Sequence, residues 1–242
     1  MLGDVGAAVM MRVSELYDRP TIQGEGPHAG RVCTFLRLYG CNLHCAWCDT
    51  PFTWDTEGLL GTMYPRSTNM TEMSLDDIVE KVVALRVPLL VVTGGEPMLQ
   101  LTALLELADD LHEYGVAVHV ETNGTRRPPA YASVQHWSIS PKLPSANSGR
   151  DLDTYIESLT EWSRHPRAIF KVVCATPSQV DEAVALFDRI DARPEQRWVM
   201  PQGITHNEVT ANLRAITDHA VVNGCNVSTR THVHTWGNER GR

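Results

Sequence analysis

The sequence predicts an α/β fold: a partial barrel of about six parallel strands with helices on its outer side. Short apolar runs alternate along the chain with longer stretches in which apolar residues recur at helical spacing, the pattern of a parallel sheet covered by helices. About six such runs are present, too few to close a full barrel. We predict a single domain over residues 13–242. Residues 1–12 are predicted to be a disordered extension, because the start is weakly apolar, lacks a basic region and is interrupted by Asp4.

The strands follow from apolar runs bounded by turn residues. A glycine-bearing turn over residues 21–26 precedes the first strand, and Gly40 ends that strand. The run at 89–92 is continuously apolar, as in strands that are buried on both faces. The complete set of predicted strands covers residues 31–39, 89–92, 116–120, 137–139, 168–174, 198–200 and 226–233.

The helices follow from apolar residues that share one helical face. Ser74 is a predicted N-cap because two aspartates follow it in the first turn. Gly115 is predicted to end the second helix as its C′ residue. Residues 49–73, rich in Thr, Gly and Pro, indicate an active-site loop or a small insertion. The predicted helices lie within residues 74–83, 101–111, 152–159, 180–187 and 209–220.

Charge and composition argue against several classes of protein. The net charge is −8 and no basic run is present, which argues against a general nucleic-acid binder. No stretch approaches the roughly 18 uninterrupted apolar residues that a membrane span needs. Three of the six cysteines are clustered, a pattern that favours metal binding in a reducing cytoplasm over a disulfide framework.

The clustered cysteines, Cys41, Cys45 and Cys48, place three thiolates on one short loop. Thiolates are soft ligands that suit zinc, copper(I) and iron–sulfur clusters. Three ligands on a four-iron cluster would leave one iron open to a substrate or cofactor. A zinc knuckle completed by His44, or a loop without metal, fits the spacing equally well. No motif includes the remaining cysteines, which we expect to be free thiols in the core: Cys33, Cys174 and Cys225.

Polar motifs follow strand after strand. In parallel α/β folds the carboxyl ends of the strands meet on one face, where ligands bind. Five polar motifs on that face are hard to explain by structure alone, so we predict an active site there. The motifs are the cysteines of 41–48, Gly94-Gly95-Glu96, Glu121 with Asn123, Ser140 with Lys142, and Gln202.

With these motifs the chain resembles the radical S-adenosylmethionine (SAM) superfamily. The resemblance is carried by C-x3-C-x2-C with Trp47 before its last cysteine, and by Gly94-Gly95-Glu96-Pro97 after the next buried strand. Within the superfamily the chain is similar to the 7-carboxy-7-deazaguanine synthase family over about residues 13–242. The narrower resemblance rests on residues 23–26 (Gln-Gly-Glu-Gly), 35–37 (Phe-Leu-Arg), 48–50 (Cys-Asp-Thr) and 231–237 (Thr-His-Val-His-Thr-Trp-Gly).

The resemblance implies the cofactors and the reaction. A 4Fe-4S cluster would be held by Cys41, Cys45 and Cys48, and SAM would chelate its open iron. The deoxyadenosyl radical formed from SAM would abstract hydrogen from C6 of 6-carboxy-5,6,7,8-tetrahydropterin. Ring contraction and ammonia loss would then give the queuosine precursor 7-carboxy-7-deazaguanine, with SAM regenerated. Mg2+ would support the reaction through Thr50, although Asp49 is the more obvious ligand on charge grounds.

The resemblance also implies the residues that bind SAM. Gly94 and Gly95 would let the backbone approach its methionine portion, although a plain strand-to-helix turn explains the same glycines. Lys142 would bind the SAM carboxylate or ribose together with Ser140, but a surface lysine is the simpler interpretation of Lys142 alone. The predicted cofactor-binding set is Trp47, Gly94, Gly95, Glu96, Asn123, Ser140, Lys142 and Gln202.

For the pterin, Arg37 is the predicted partner of the carboxylate, with an internal salt bridge as the alternative. His232 is expected at the end of the last strand, where a solvent-exposed terminal histidine is the competing interpretation. Glu121 is a candidate assisting residue. The predicted substrate-binding set is Gln23, Gly24, Glu25, Gly26, Arg37, Thr93 and His232.

Two other functions remain open at this point: a radical SAM activase that makes a glycyl radical on a partner protein, and a zinc-binding interaction module. The resemblance further implies a homodimer and a reducing partner such as flavodoxin or ferredoxin.

Overall fold

The computed structural model describes residues 8–130 and 133–242. Its strands are β1 (Met10–Leu16), β2 (Thr21–Ile22), β3 (Val32–Leu38), β4 (Thr71–Ser74), β5 (Leu89–Gly94), β6 (Ala117–Thr122), β7 (His136–Ile139), β8 (Ala168–Cys174), β9 (Arg197–Pro201) and β10 (Asn226–Val227). Its helices are α1 (Arg66–Asn69), α2 (Leu75–Ala84), α3 (Leu101–Glu113), α4 (Ile156–Arg164), α5 (Pro177–Arg189), α6 (His206–Val222) and α7 (Thr231–Trp236).

The strands form one sheet in the order β10-β9-β8-β7-β6-β5-β3-β1-β4, and β2 pairs with β3. Neighbouring strands from β3 to β10 are parallel. β1 runs antiparallel to both β3 and β4. Within the described residues the edge strands β10 and β4 do not pair with each other, so the sheet stays open. The predicted partial barrel is confirmed.

The outer face of the sheet packs against the helices. Leu90 and Val92 of β5 belong to this main core, together with Leu104 and Leu107 of α3. The predicted start of α2 is confirmed, because the Ser74 side chain accepts a hydrogen bond from the backbone N–H three residues later. Strand alternation then sends the intervening β5 residues to the inner face of the sheet.

The inner face of the barrel is covered by two different groups of side chains beneath the strand ends. One side is apolar: Leu89 and Val91 of β5 pack with residues of β3. The other side holds three histidines, His28, His119 and His136, whose ring centroids lie 4.5 to 5.1 Å apart. His119 and His136 are register partners on β6 and β7, so the two imidazoles meet by strand pairing.

Three predictions about elements need correction. Residues 10–12 are part of β1 and not of an extension, while residues 1–7 of that predicted extension lie outside the described residues. The predicted loop over 49–73 contains α1 and the start of β4. The strand predicted over 226–233 is only two residues long, and α7 follows it, since β10 has one partner strand to pair with.

A single sheet thus runs from β1 to β10 with one main core, which supports the proposal of one domain beginning no later than Met10. Among the described helices, none is long and apolar enough to cross a membrane.

Candidate active site

A cavity of about 180 Å³ opens at the carboxyl ends of the parallel strands. It is the place where the sequence motifs were expected to converge, and most of them do. Four predicted site residues are absent from its wall: Gly24, Gly26, Glu96 and Gln202. The predicted residues in the wall are Gln23, Glu25, Arg37, Cys41, Cys45, Trp47, Cys48, Thr50, Thr93, Gly94, Gly95, Glu121, Asn123, Ser140, Lys142 and His232.

The cysteine loop begins just after β3, and all three of its thiols face this cavity. Burial raises the pKa of Cys41 to about 12 and also raises the pKa values of Cys45 and Cys48. Trp54 donates an indole N–H to the Cys48 sulfur at 3.3 Å. Metal binding must displace the thiol protons, so the loop would bind a metal with release of protons.

No group of three His, Cys, Asp or Glu side chains in the described residues converges tightly enough for a single metal ion. A four-iron cluster makes a different demand, because each cysteine binds a separate iron. Three thiols spread along one wall suit such a cluster.

The two glycines after β5 are required by packing within the protein. A Cβ on Gly95 would lie 2.0 Å from the Gly40 carbonyl oxygen, and one on Gly94 would lie 2.5 Å from the Leu38 backbone nitrogen. Gly94 also has a φ of +112°, which favours glycine. A side chain at either position is therefore excluded because the backbone of the two glycines lies close to β3 and to the start of the cysteine loop. Both glycines still line the cavity, and their contact with SAM stays a prediction.

Glu96 lies beneath the cavity, with 1% of the residue exposed. Its carboxylate accepts hydrogen bonds from the Thr122 hydroxyl at 2.6 Å and from the backbone N–H groups of Asn123 and Met98 at 2.7 and 2.9 Å. Burial raises the pKa of Glu96, an effect that these hydrogen bonds oppose. The side chain thus joins the end of β5 to the end of β6, and this geometry supports a positioning role.

Ser140 and Lys142 form one polar unit after β7. The Lys142 ammonium donates to the Ser140 hydroxyl at 2.8 Å and lies 5.5 Å from the centroid of the Trp47 ring. Asn123 binds Asn42 of the cysteine loop at 2.9 Å. Gln202 lines an adjoining cavity that also contains Trp47.

The turn between β2 and β3 supplies the opposite wall. The Gln23 side-chain amide donates to the Glu121 carboxylate at 3.2 Å, and its Oε1 accepts the Glu25 backbone N–H at 3.1 Å. Thr93 donates to the other oxygen of Glu121 at 3.1 Å. Four predicted residues from three different strands or turns are therefore joined in one network.

Glu25 is the centre of the charged part of this wall. It forms ion pairs with Lys171 and with Arg230, the latter at 2.9 Å, and its side chain is 11% exposed. Burial alone would raise the pKa of Glu25, but the cations Lys171 and Arg230 outweigh it and hold that pKa well below the usual range. Arg230 also pairs with Asp49, so the same guanidinium links Glu25 to the end of the cysteine loop.

His232 lies on α7, and the expected position at the end of a strand is wrong. Its ring packs directly on Gly24, where an added Cβ would lie 1.9 Å from Nδ1. The ring Nε2 is 3.9 Å from the Glu25 carboxylate. Burial lowers the pKa of His232, and the nearby Glu25 opposes that shift. The competing interpretation of a solvent-exposed histidine is not supported, since only 27% of the His232 side chain is exposed.

Arg37 has internal partners. Its Nε is 3.4 Å from Glu15 and its Nη2 donates to the Tyr17 hydroxyl at 3.2 Å. The guanidinium also lies 5.5 Å from the Phe35 ring centroid. The internal salt bridge considered as an alternative is thus present, although Arg37 still lines the cavity.

Known proteins are similar to this chain over most of its length. The Radical SAM superfamily model matches residues 36–136. A 7-carboxy-7-deazaguanine synthase of Pyrobaculum aerophilum is 34% identical over 98% of this chain and 100% of its own length. The chain belongs to the 7-carboxy-7-deazaguanine synthase family.

Other comparisons with this family agree. A 7-carboxy-7-deazaguanine synthase of Halobacterium salinarum is 32% identical over 96% of this chain and 92% of its own. The crystal structure of QueE from Escherichia coli has a TM-score of 0.68, with 22% identity, and the match covers 92% of this chain and 95% of that one, which shows the fold. Because the chain belongs to this family, the two alternative functions, a zinc-binding module and a radical SAM activase, are rejected. The family also implies a 4Fe-4S cluster and SAM as cofactors.

Sequence reasoning missed two cations of this site, Lys171 and Arg230. Lys171 is the one charged residue in the apolar run Ala168–Cys174, and a charge in a buried strand is rare unless it is paired. That signal singled out Arg37 and could have singled out Lys171. Arg230 lies in the stretch that was predicted to be a strand, where its approach to Glu25 depends on the turn before α7.

Proposed function

We propose that the chain converts 6-carboxy-5,6,7,8-tetrahydropterin into 7-carboxy-7-deazaguanine, in the pathway that leads to queuosine. The observation that most strongly supports this proposal is the match to the Pyrobaculum aerophilum synthase, which extends over 98% of this chain. The reaction comprises hydrogen abstraction at C6, ring contraction and loss of ammonia.

Cys41, Cys45 and Cys48 would hold the cluster, because the three thiols share one cavity wall and leave one iron for SAM. When bound, the cluster and SAM supply the radical that abstracts the hydrogen. The protein orients the reactants and keeps water away from the radical. Trp54, through its contact with the Cys48 sulfur, would help to fix that ligand.

At the SAM end of the cavity, Lys142 would bind the carboxylate while Ser140 fixes the direction of the ammonium group. Asn123 would contribute an amide from the end of β6, held in place by its bond to Asn42. Trp47 would face the adenine, and Gln202 would reach it from the adjoining cavity. Glu96 supports this end from below through its bonds to the backbone after β6.

At the pterin end, the carboxylates of Glu25 and Glu121 would accept hydrogen bonds from the ring's amino and N–H groups. Both are hydrogen-bond acceptors, whereas the edge of the pterin is rich in donors. Gln23 and Thr93 direct Glu121 toward the cavity. Glu121 lines the cavity, would contact the bound pterin there, and is our candidate assisting residue.

The substrate carboxylate would bind Arg37, in addition to that residue's pairing with Glu15. Only Nε and Nη2 of the guanidinium have partners among the described residues, which leaves Nη1 for the ligand. His232 would close the same end from α7, with its ring seated on Gly24 and the turn around Gly26 held by a 2.7 Å bond to Ser228.

Thr50 would contribute to a Mg2+ site, together with water and substrate oxygens. Thr50 lines the cavity, and its hydroxyl makes only long contacts, 3.4 Å to the Gly94 carbonyl oxygen and 3.8 Å to the Cys48 sulfur. Asp49 is engaged by Arg230, which favours Thr50 over the neighbouring carboxylate.

A reducing protein such as flavodoxin or ferredoxin would supply the electron that the cluster needs. All six cysteines are free thiols, which supports a reducing, cytoplasmic setting. The homodimer rests on the family alone.

The test is an anaerobic assay of the wild-type protein after reconstitution with iron and sulfide. With SAM, dithionite, Mg2+ and 6-carboxytetrahydropterin, we expect 7-carboxy-7-deazaguanine in the mass spectrum, with a higher yield when Mg2+ is present. Cleavage of SAM without any deazaguanine would contradict the proposed substrate, and equal yields with and without Mg2+ would contradict the proposed metal site.

A further inference from the structure

Lys171 is a buried cation that has no assigned role in the proposed reaction. Its side chain is 5% exposed and lies on the inner face of β8, since Phe170 and Val172 on either side belong to the outer core. The chain has only three lysines, Lys81, Lys142 and Lys171. Burying an ammonium group is costly unless it is paired and hydrogen-bonded, so the partners of Lys171 indicate what it does.

Lys171 contacts two carboxylates that come from different parts of the chain. Its Nζ donates to Glu25, in the turn after β2, and lies 3.5 Å from Glu121 on β6. These are the two acidic side chains that we place against the pterin. The other contacts of Glu121 are the neutral side chains of Gln23 and Thr93. Among the described residues, Lys171 is therefore the one cation that contacts both carboxylates.

We infer that Lys171 is a positioning residue, whose ammonium group holds Glu25 and Glu121 together as paired acceptors for the donor edge of the substrate. The inference rests on the proposed function. Without the cation, two carboxylates would face each other across a buried wall and would repel each other. Displacement of either by about 1 Å is enough to cost about 100-fold in rate.

Several charged and titratable groups surround Glu25, and they determine how the wall responds to pH. Burial disfavours the Glu25 carboxylate, and Lys171 is the strongest of the cations that hold its pKa down. Removal of Lys171 should therefore raise the pKa of Glu25. The other groups around it are Arg230 and His232 near α7, Asp49 at the end of the cysteine loop, Glu121 on β6, and the nearby His28, His119 and His136.

The kinetic test compares Lys171→Met with Lys171→Arg in the reconstituted holoenzyme, and uses Lys81→Met as a matched surface control. We expect Lys171→Met to lower kcat/KM for the pterin by about 100-fold. The acidic limb of its pH profile should move toward higher pH, since Glu25 loses its nearest cation. Lys171→Arg should restore most of the activity, and Lys81→Met should match the wild type. A Lys171→Met enzyme with the wild-type KM and pH profile would overturn the inference.

A second measurement separates this inference from the proposed function. If wild-type enzyme makes no deazaguanine, the substrate is wrong, and the ion pair is then judged by thermal unfolding of Lys171→Met, Glu25→Gln and the double variant. We expect each single change to lower Tm by about 10 °C and the double variant to lose much less than their sum, because breaking a buried pair leaves one charge unpaired. Additive shifts in Tm would overturn the pairing of Lys171 with Glu25.

Discussion

Replacement of Cys45 by alanine is expected to abolish the formation of deazaguanine. The three cysteines of the loop already leave one iron of the cluster without a protein ligand. Removing Cys45 leaves the cluster with only two protein ligands. Changes in groups that merely support a metal ligand typically cost about 10- to 100-fold in affinity or activity, and loss of a ligand should exceed that. We expect an activity loss of more than about 100-fold, and the same loss of SAM cleavage without substrate.

Cys225→Ala is the matched control, because Cys225 is a buried free thiol that does not line the cavity. It should keep its iron, its sulfide and its activity under the same anaerobic reconstitution. The measurements are iron and sulfide content, 5′-deoxyadenosine and deazaguanine, followed in parallel. If Cys45→Ala retained four irons and turned over like the control, the loop would not be the cluster site.

The folded protein should lose stability as the pH falls from about 6.5 toward 4.5. Burial lowers the pKa of His119 to about 3, helped by the neighbouring His136 and His28, and burial likewise lowers the pKa of His136 to about 3. In the unfolded chain both imidazoles take up protons near pH 6.5. The unfolded state thus binds more protons throughout this window, and stability falls as the pH decreases.

One pKa unit corresponds to about 1.4 kcal/mol, so two histidines held neutral across this window would cost roughly 3 to 5 kcal/mol. The window lies above the range in which the lowered pKa of Glu25 matters, since that contribution is lost only below about pH 4.5. Chemical unfolding of the reconstituted protein at several pH values measures the slope.

His119→Gln should remove about half of this slope, because it removes one of the two buried imidazoles. The Nδ1 atom of His119 has no hydrogen-bond partner among the described residues, so the change breaks no hydrogen bond of that atom. His112→Gln, at an exposed site on α3, is the control and should leave the slope unchanged. Equal slopes in the wild type and in His119→Gln would show that the buried cluster does not control acid stability.

The fold could be predicted because its signals are local. Buried parallel strands are continuous apolar runs, as at β5, and helices carry their own caps, as at Ser74. The segments that were missed depend on distant partners. β1 and β4 pair with each other at the edge of the sheet, and α7 packs where the chain returns to the turn at Gly24.

The site could be predicted as a set of positions, but not as a set of contacts. Strand ends must converge in a parallel sheet, so the cysteine loop, Glu121 and Lys142 were placed together correctly. Which partner a charge chooses depends on three-dimensional distances. Arg37 pairs with Glu15, and Glu96 binds the backbone beneath the cavity. Gly95 must be glycine because a Cβ there would collide with the Gly40 carbonyl oxygen, and these two residues lie 55 positions apart in the sequence.

The most direct test of the central claim follows the hydrogen at C6. The reconstituted wild-type protein is incubated anaerobically with SAM, a reductant and 6-carboxytetrahydropterin deuterated at C6, and the products are analysed by mass spectrometry. We predict formation of 7-carboxy-7-deazaguanine together with transfer of deuterium to the deoxyadenosyl group. SAM cleavage with all of the deuterium retained on an unconverted pterin would contradict the assignment of this chain as a 7-carboxy-7-deazaguanine synthase.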